Sequence, residues 1–474
     1  VRGHAVTMPH RSRPSAKQPK KAKATQSRPG RSWLGVPKWA WITVALASVA
    51  TISAGTGALL AVSMNSKPLL QSQLSPEEAA VFSEGDPILS NSSLRLPRLT
   101  RPVNILVLGV KVLTSDVDGS VPGADDLGYH ALVNSFEGLS DTMLLLRFNP
   151  RTGQLVVMSV PRDTRALVNG SLTKINEANL DGGPAMTAES LSDLLGGVAI
   201  DRYVRINVQG VEKLIDALGG VTVNVPKDMK YQDDSQHLYI NLKAGRQTLD
   251  GDQALQFLRF RYDDNGDIGR VQRQQTMMRA VIEQTLNPAT ISRLPKILSV
   301  IQSHVDTNLS VEELVALVGY GSQTSRSDVQ MLMLPGNFSS PEDYVLSYWL
   351  PNYAMIDSMV EQYFGLESAQ VMEATSPSYL RVVIEDSTGD DVAIQSLIDG
   401  LYDSGYRNVS VGDDLNEVLS ATRIVAQRGD RASASMLQQF LRIGEVRVES
   451  TGNLNSDITI QLGEDWLDEH GANL

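Results

Sequence analysis

A chain of 474 residues, 42% hydrophobic and 20% charged, is long enough for two or three domains and has the composition of an ordinary globular protein. It holds no cysteine, which excludes thiol chemistry and disulfides and is compatible with an exported domain without proving a compartment. The net charge of −12 is unevenly spread: residues 1–38 carry ten Lys or Arg and no acid, so the rest of the chain stands at −22.

A basic tail on an acidic body has a partner of its own: nucleic acid, anionic lipid, or the machinery that sets membrane topology. The next segment decides between them. Residues 39–64 contain no charged side chain, and about 20 apolar residues cross a bilayer as a helix. Trp33, Trp39 and Trp41 stand at its start, where aromatic rings favour the interface. The apolar run is too long, and the basic stretch before it too extended, for a cleaved signal peptide. The expectation is a single-pass inner-membrane protein with a cytoplasmic N-terminus, an extracytoplasmic body and no nucleic-acid partner. Residues 65–100, with Pro68, Pro76, Pro87 and Pro97, read as a linker.

A compact α/β pattern begins at Val103. The apolar run 104–110 predicts a buried strand, 142–148 a second and 154–160 a third. Asn149-Pro150-Arg151-Thr152-Gly153 turns the last two into a hairpin. Residues 111–139 form a long Gly/Asp/Ser-rich loop, a length that is usually functional or mobile. Helical spacing follows at 187–195, 210–218, 250–258, 270–286 and 311–320, the last opened by a capping box from Ser310 to Glu313. Strands fit at 202–207 and 221–225. Helices alternating with apolar strands predict a sheet covered on both faces. A second, smaller α/β domain starts near Ser378. Its strands are predicted at 380–384, 409–411, 422–426, 446–449 and 458–463, with helices at 392–401 and 432–441. No dense polar constellation lies in it, so it reads as a binding or spacer module.

The candidate chemistry lies in arginines. Arg162 follows Pro161 directly after a strand, which places it at a sheet edge, where α/β folds put ligands. Arg259 and Arg261 point to one side if their segment is extended. Arg270, Arg273 and Gln274 share a helix face, with Asp267 just before it and Gly269 allowing close approach of a ligand. Guanidinium groups grip phosphate by planar, two-pronged bonds, so this set points to a multiply charged phosphate. Each arginine alone is more often a plain surface ion pair. The six histidines show no metal-ligand spacing, and neither a nucleophile elbow nor a Walker A loop is present. A zinc hydrolase, a thiol enzyme and an ATPase are therefore unsupported.

An ordered set of motifs resembles the LytR-CpsA-Psr family: Asn104-Ile105-Leu106-Val107-Leu108-Gly109, Ser140-Asp141-Thr142-Met143, Pro161-Arg162-Asp163-Thr164, Lys174-Ile175-Asn176, Leu218-Gly219-Gly220-Val221, and the run from Asp267 to Gln275. The resemblance is strong over 101–325 and extends to Gly365, giving a domain at 101–372. Residues 378–466 look like the LytR C-terminal domain. The wording from Gly109 to Asp116 is similar to the cyanobacterial branch. The resemblance implies a central mixed β-sheet flanked by helices. It also implies an extracytoplasmic phosphotransferase that moves a sugar-phosphate polymer from a polyprenyl diphosphate, its lipid held in an apolar tunnel, to a peptidoglycan hydroxyl. By position, Arg162, Arg259, Arg261, Arg270 and Gln274 hold the diphosphate, Asp141 binds Mg²⁺, and Asp267 orients Arg270 or takes the acceptor's proton. Such transfers depend chiefly on positioning and charge neutralisation.

Two positions depart from the family pattern. Lys111 stands where an acid usually ligates metal, and Leu139 where an arginine usually precedes Ser-Asp-Thr. The expectation is that the Lys111 ammonium takes over part of the metal's role at the diphosphate and weakens Mg²⁺ dependence. Asp116 and Asp118 are the alternative sources of the missing carboxylate. Two other functions fit the same residues: a non-catalytic lipid-diphosphate-binding regulator, and a pyrophosphatase with water as acceptor.

Overall fold

The computed structural model describes residues 74–82, 88–89, 97–110, 136–233, 238–260, 266–340, 342–365, 374–453 and 455–470, all within one compact unit, Gly57–Leu474. The expected span at 39–64, the basic tail, most of the 111–139 loop with Lys111, and Arg261 lie outside the described residues. Among the described residues no helix is long and apolar enough to cross a membrane.

The first described element is α1 (Pro76–Ala80), opened by a reciprocal capping box between Ser75 and Glu78. Phe82 just after it is buried against Tyr203, ring centroids 5.1 Å apart. Part of the stretch read as a linker therefore packs on the domain.

Strands β1 (Val103–Val110), β2 (Ser140–Asn149) and β3 (Gln154–Ser159) form an antiparallel meander with Leu108 opposite Met143 and Leu146 opposite Val157. The β2–β3 turn closes as expected, with Gly153 at φ +75° and its N–H donating to the Asn149 carbonyl at 2.9 Å. A small hairpin follows, β4 (Arg165–Val168) and β5 (Ser171–Lys174), turned by Asn169 and Gly170, both at positive φ. Asn-Gly is the residue pair that such a two-residue turn favours.

Helix α2 (Ala178–Leu194) starts nine residues earlier than its periodicity suggests, because it is two pieces. Gly182 and Gly183 break the helical dihedrals and Pro184 restarts them. β6 (Arg202–Asn207) runs parallel to β1, and α3 (Val208–Leu218) stops on Gly219 in the left-handed conformation. Two antiparallel pairs stand apart from the main sheet: β7 (Val221–Val225) with the later β10, and β8 (Met229–Asp233) with β9 (Leu238–Leu242). Strand β10 is Gly245–Leu249. Next come α4 (Gly251–Arg259), α5 (Gly266–Leu286), α6 (Leu294–His304), β11 (Val305–Thr307) and α7 (Val311–Gly321). The domain ends with β12 (Val329–Met333), β13 (Gly336–Phe338), β14 (Trp349–Pro351) and α8 (Tyr353–Phe364).

Among the described residues the main sheet has the order β11-β6-β1-β2-β3-β12 and is mixed, with β1–β6 and β3–β12 parallel. Strand alternation divides its side chains. Leu106, Leu108, Met143, Leu145 and Met158 point into one core with α2 and α8. Ile105, Phe148, Leu155 and Val157 point the other way, toward α5 and α7. Both faces are covered, as the alternating pattern predicts.

The second domain is β15 (Arg381–Asp386), α9 (Asp391–Asp403), β16 (Asn408–Val411), β17 (Arg423–Ala426), α10 (Arg431–Leu441), β18 (Glu445–Val448), β19 (Ile458–Leu462) and α11 (Glu464–His470). Its sheet runs β16-β15-β19-β17-β18, antiparallel only at β17–β19. The sheets of the two domains approach edge to edge: a backbone bridge joins Met331 to Glu449, and the Tyr363 hydroxyl donates to the Gly429 carbonyl at 2.6 Å.

Candidate functional site

A cavity of about 440 Å³ lies between the second face of the main sheet and helices α3, α5 and α7. Val107, Leu144, Leu146 and Val157 form its floor, and Met278, Ile282 and Leu317 its roof. Polar residues gather at one end: Asp141, Ser159, Arg162, Asp163 and Gln274. That end is set by topology. Gly109, Ser159, Ile206 and Met333 terminate or nearly terminate β1, β3, β6 and β12, so the mouth lies at the carboxyl ends of the parallel pairs. Gly109 is required there, since a Cβ at this position would stand 2.9 Å from the Thr142 Cβ.

Arg162 is the centre of the mouth. Its Nη1 donates to Asp141 Oδ1 at 2.6 Å, and its Nε to Asp163 Oδ2 at 3.4 Å. Lys174 Nζ reaches the other oxygen of Asp163 at 2.7 Å and lies 5.9 Å over the Tyr348 ring. Burial works to lower the Arg162 pKa, and the charges and hydrogen bonds of Asp141 and Asp163 more than offset it, so the net shift is upward. The guanidinium stays charged and is held on two sides, which pre-orients it for an anion. The backbone supports this: the Asn176 N–H donates to the Arg162 carbonyl and the Trp349 N–H to the Asp163 carbonyl. Asp141 is fixed from behind, because Asn179 Nδ2 donates to the carbonyls of Phe136 and Gly138 just ahead of it. Asn179 Oδ1 in turn accepts from Arg205, whose Nε pairs with the buried Asp306 at 2.7 Å.

The structure thus brings Asp141, Arg162 and Gln274 together. Arg259 is the last residue of α4, so the extended geometry expected for 259–261 does not hold at its first member. A capping box between Asp250 and Gln253 starts that helix, and Phe260 is the first extended residue after it. Asp267 and Arg270 lie in the first turns of α5, and only their backbone belongs to the described structure. Arg273 does not share the ligand face with Gln274. It is buried, its Nη2 donates to the Phe260 carbonyl at 2.6 Å, and burial pushes its pKa down. Its place is to tie α5 to the end of α4.

Asp163 and Lys174 are mouth residues that spacing did not single out, although both lie inside the quoted motifs. The Asn169-Gly170 turn is the signal that would have placed Lys174 next to Asp163.

Magnesium is held by one or two carboxylates together with substrate phosphates rather than by an all-protein cage. Asp141, beside Arg162 at the mouth, meets that requirement. Among the described residues no three His, Asp or Glu side chains group to hold a metal by themselves.

A mixed sheet with an apolar slot along one face, ending in a carboxylate-braced arginine, defines an α/β domain shaped for an amphiphile with an anionic head. The chain belongs to the LytR_cpsA_psr family, whose profile matches residues 74–364. A second profile, described as LytR cell envelope-related transcriptional attenuator, matches residues 379–466. The chain is similar to the polyisoprenyl-teichoic acid–peptidoglycan teichoic acid transferase TagU of Bacillus cereus, at 32% identity over 263 residues, 54% of this chain and 77% of that protein. Biofilm regulatory protein A of Streptococcus mutans is 31% identical over 233 residues, 46% of this chain and 53% of that protein. Among solved structures, B. subtilis TagV is similar at 26% identity and a TM-score of 0.45, over 55% of this chain and 96% of that one.

Proposed function

We propose that this protein transfers a glycopolymer phosphate from a polyprenyl diphosphate carrier to a hydroxyl of peptidoglycan. The observation that carries the reading is the continuity of the 440 Å³ apolar slot with the Arg162–Asp141 mouth. A polyprenyl chain fills the slot, and its diphosphate lies against Arg162 and Gln274, with Arg259, Arg261, Arg270 and Lys111 as further cations. The activity in the name of the Bacillus cereus relative is of the same kind.

In the reaction the acceptor oxygen attacks the phosphorus next to the sugar. The bond from that phosphorus to the bridging oxygen breaks, and polyprenyl phosphate leaves. The hydroxyl proton passes to Asp267 and from there to solvent. Arg162 neutralises charge that develops on the phosphate oxygens, and Asp141 and Asp163 keep its planar group in place. When bound, a magnesium ion held by Asp141 supplies further neutralisation of the diphosphate. Residues 39–64 anchor the protein in the inner membrane, with the N-terminus cytoplasmic. The site then faces the compartment where lipid-linked donor and peptidoglycan meet.

The test is incubation of the purified full chain in detergent with a synthetic polyprenyl-diphosphate oligosaccharide and peptidoglycan fragments, followed by mass spectrometry. The expected products are a phosphodiester-linked conjugate and polyprenyl phosphate, reduced about 100-fold or more in Arg162→Ala. Free sugar phosphate alone would instead show hydrolysis, and binding without turnover a regulator. The same assay under metal chelation, comparing wild type with Lys111→Asp, tests the lysine: an absolute metal requirement in wild type sinks that part of the reading.

A further inference from the structure

The seam between the two domains holds a second cavity of about 360 Å³, whose lining mixes polar and apolar surface. Arg326 and Gln330 reach it from the β12 side, and Arg431, Gln438, Glu445 and Arg447 from the second domain. It lies where β12 and β18 meet edge to edge at the Met331–Glu449 bridge.

Arg447 is the reason to regard it as a site. Its side chain is only 10% exposed. Nη2 donates to Glu445 Oε2 at 2.9 Å, but Nε and Nη1 are buried without a hydrogen-bond partner. Buried donors on a charged group are costly to leave unmet, and folded proteins seldom leave them so without a ligand or other reason. The other arginines nearby have their acids: Arg279 pairs with Glu449, Arg326 with Glu283 at 2.6 Å, and Arg423 with Glu417 at 3.7 Å. Arg431, exposed at the rim, donates from Nη1 to the Ser327 carbonyl at 3.5 Å, across the seam. Arg279, Arg326, Arg423 and Arg447 face Glu283, Glu417, Glu445 and Glu449, and Arg431 stands beside Asp430 at the rim, so the unmet donors of Arg447 rather than a net charge mark the site. The strain shows in the ionisation of its members. Burial and then repulsion from Arg447 lower Arg279 to about 9 and Arg423 to about 10.

We propose that this seam is a second anion site, separate from the Arg162 mouth, in which Arg447, Arg326 and Arg431 take a phosphate or phosphodiester group between the two domains. Three guanidinium groups approaching from both domains suit an anion with several acceptor oxygens better than a carboxylate, which a single arginine satisfies. A ligand that bonds to both sides of the seam also ties the C-terminal domain to the first, since binding to the folded state alone adds to stability.

The experiment is titration calorimetry on the full chain in detergent, at constant ionic strength against chloride, with inorganic phosphate in one arm and a glycerol phosphate trimer in the other. An Arg162→Ala background weakens the mouth, and the seam substitutions then tell the two sites apart. The expected result is a binding event that survives Arg162→Ala and weakens at least tenfold on adding Arg447→Gln. Arg431→Gln, at an exposed position that leaves the core untouched, should weaken it several-fold and decides the matter if Arg447→Gln fails to fold. Tighter binding of the trimer identifies a phosphodiester polymer as the source; equal binding identifies free phosphate. Absence of binding in Arg162→Ala, or affinity unchanged by both seam substitutions, overturns the proposal without touching the transferase reading.

Discussion

Gly321 offers a direct test of whether the slot holds the lipid. It ends α7, is buried, and lines the cavity. A Cβ built there meets only Leu286 Cδ2, at 3.6 Å, an ordinary contact, so the Cβ of Gly321→Leu is accommodated and the rest of the side chain has the cavity to enter. Leu286 also marks the deep end. Gln274 at the mouth and Leu286 are twelve residues apart on α5, roughly 18 Å at 1.5 Å per residue. The new side chain therefore displaces the far part of a bound chain and leaves the mouth alone. Excluding two or three buried methylenes at about 0.8 kcal/mol each costs ~2 kcal/mol. That is roughly a 30-fold loss in affinity. Folding should not suffer, because leucine favours a helix over glycine by up to about 1 kcal/mol and fills empty space. The assay is binding of a long-chain polyprenyl diphosphate and of geranyl diphosphate to wild type and variant, with Tm as the folding control. The expectation is a 30-fold loss for the long chain, little change for the short one, and an equal or higher Tm. A folded variant that binds the long chain as wild type does would refute the assignment of the slot.

Two further predictions concern the scaffold. Glu313 is buried, pairs with Arg202 Nη2 at 2.8 Å, and caps α7 through the Ser310 N–H. Glu313→Ala leaves a buried guanidinium without its acid, so urea unfolding should show a loss of about 3–5 kcal/mol; a loss under 1 kcal/mol would mean the pair is solvated. The Tyr320 hydroxyl shares its one proton between the carbonyls of Asn149 and Gln154, 3.0 and 2.8 Å away at the β2–β3 turn, and burial raises its pKa to about 12. A raised folded pKa gives stability that is whole below the unfolded value near 10 and is lost as pH climbs toward 12. Tm should fall between pH 10 and 12 more steeply in wild type than in Tyr320→Phe, and parallel curves would contradict the buried-phenol reading.

Much of the fold is legible in the chain because it is written locally. The strands at 202–207 and 221–225, the Ser310 capping box, the β2–β3 turn and most elements of the second domain follow from alternation, capping and turn residues, which act within a few positions. Some elements that escaped this reading have a short signal, whereas α6, α8 and β12 were missed despite ordinary lengths and several apolar residues. β11 and β13 have three residues each. Helix α2 is split by its glycines, so its first half carries no 3.6-residue stripe. The Asn169-Gly170 hairpin was written in the sequence and needed only its turn chemistry to be read.

The site divides in the same way. The sequence by itself determined that Arg162 leaves the end of a strand beside Asp163, that Asp141 opens the strand before it, and that Gln274 sits on a long helix. Strand and helix patterns are local, and a proline before Arg162 restricts the backbone there. Only the tertiary structure decided which of these meet. Arg162 and Asp141 are twenty-one positions apart and come within 2.6 Å because β2 and β3 pair in one register. Arg273 and Gln274 are neighbours, yet one is spent on the Phe260 carbonyl and the other faces the slot. Arg447 meets Arg326 only because two sheet edges close on each other. Long-range pairing depends on how whole faces bury one another, and no local pattern encodes which charged side chain is left at the seam.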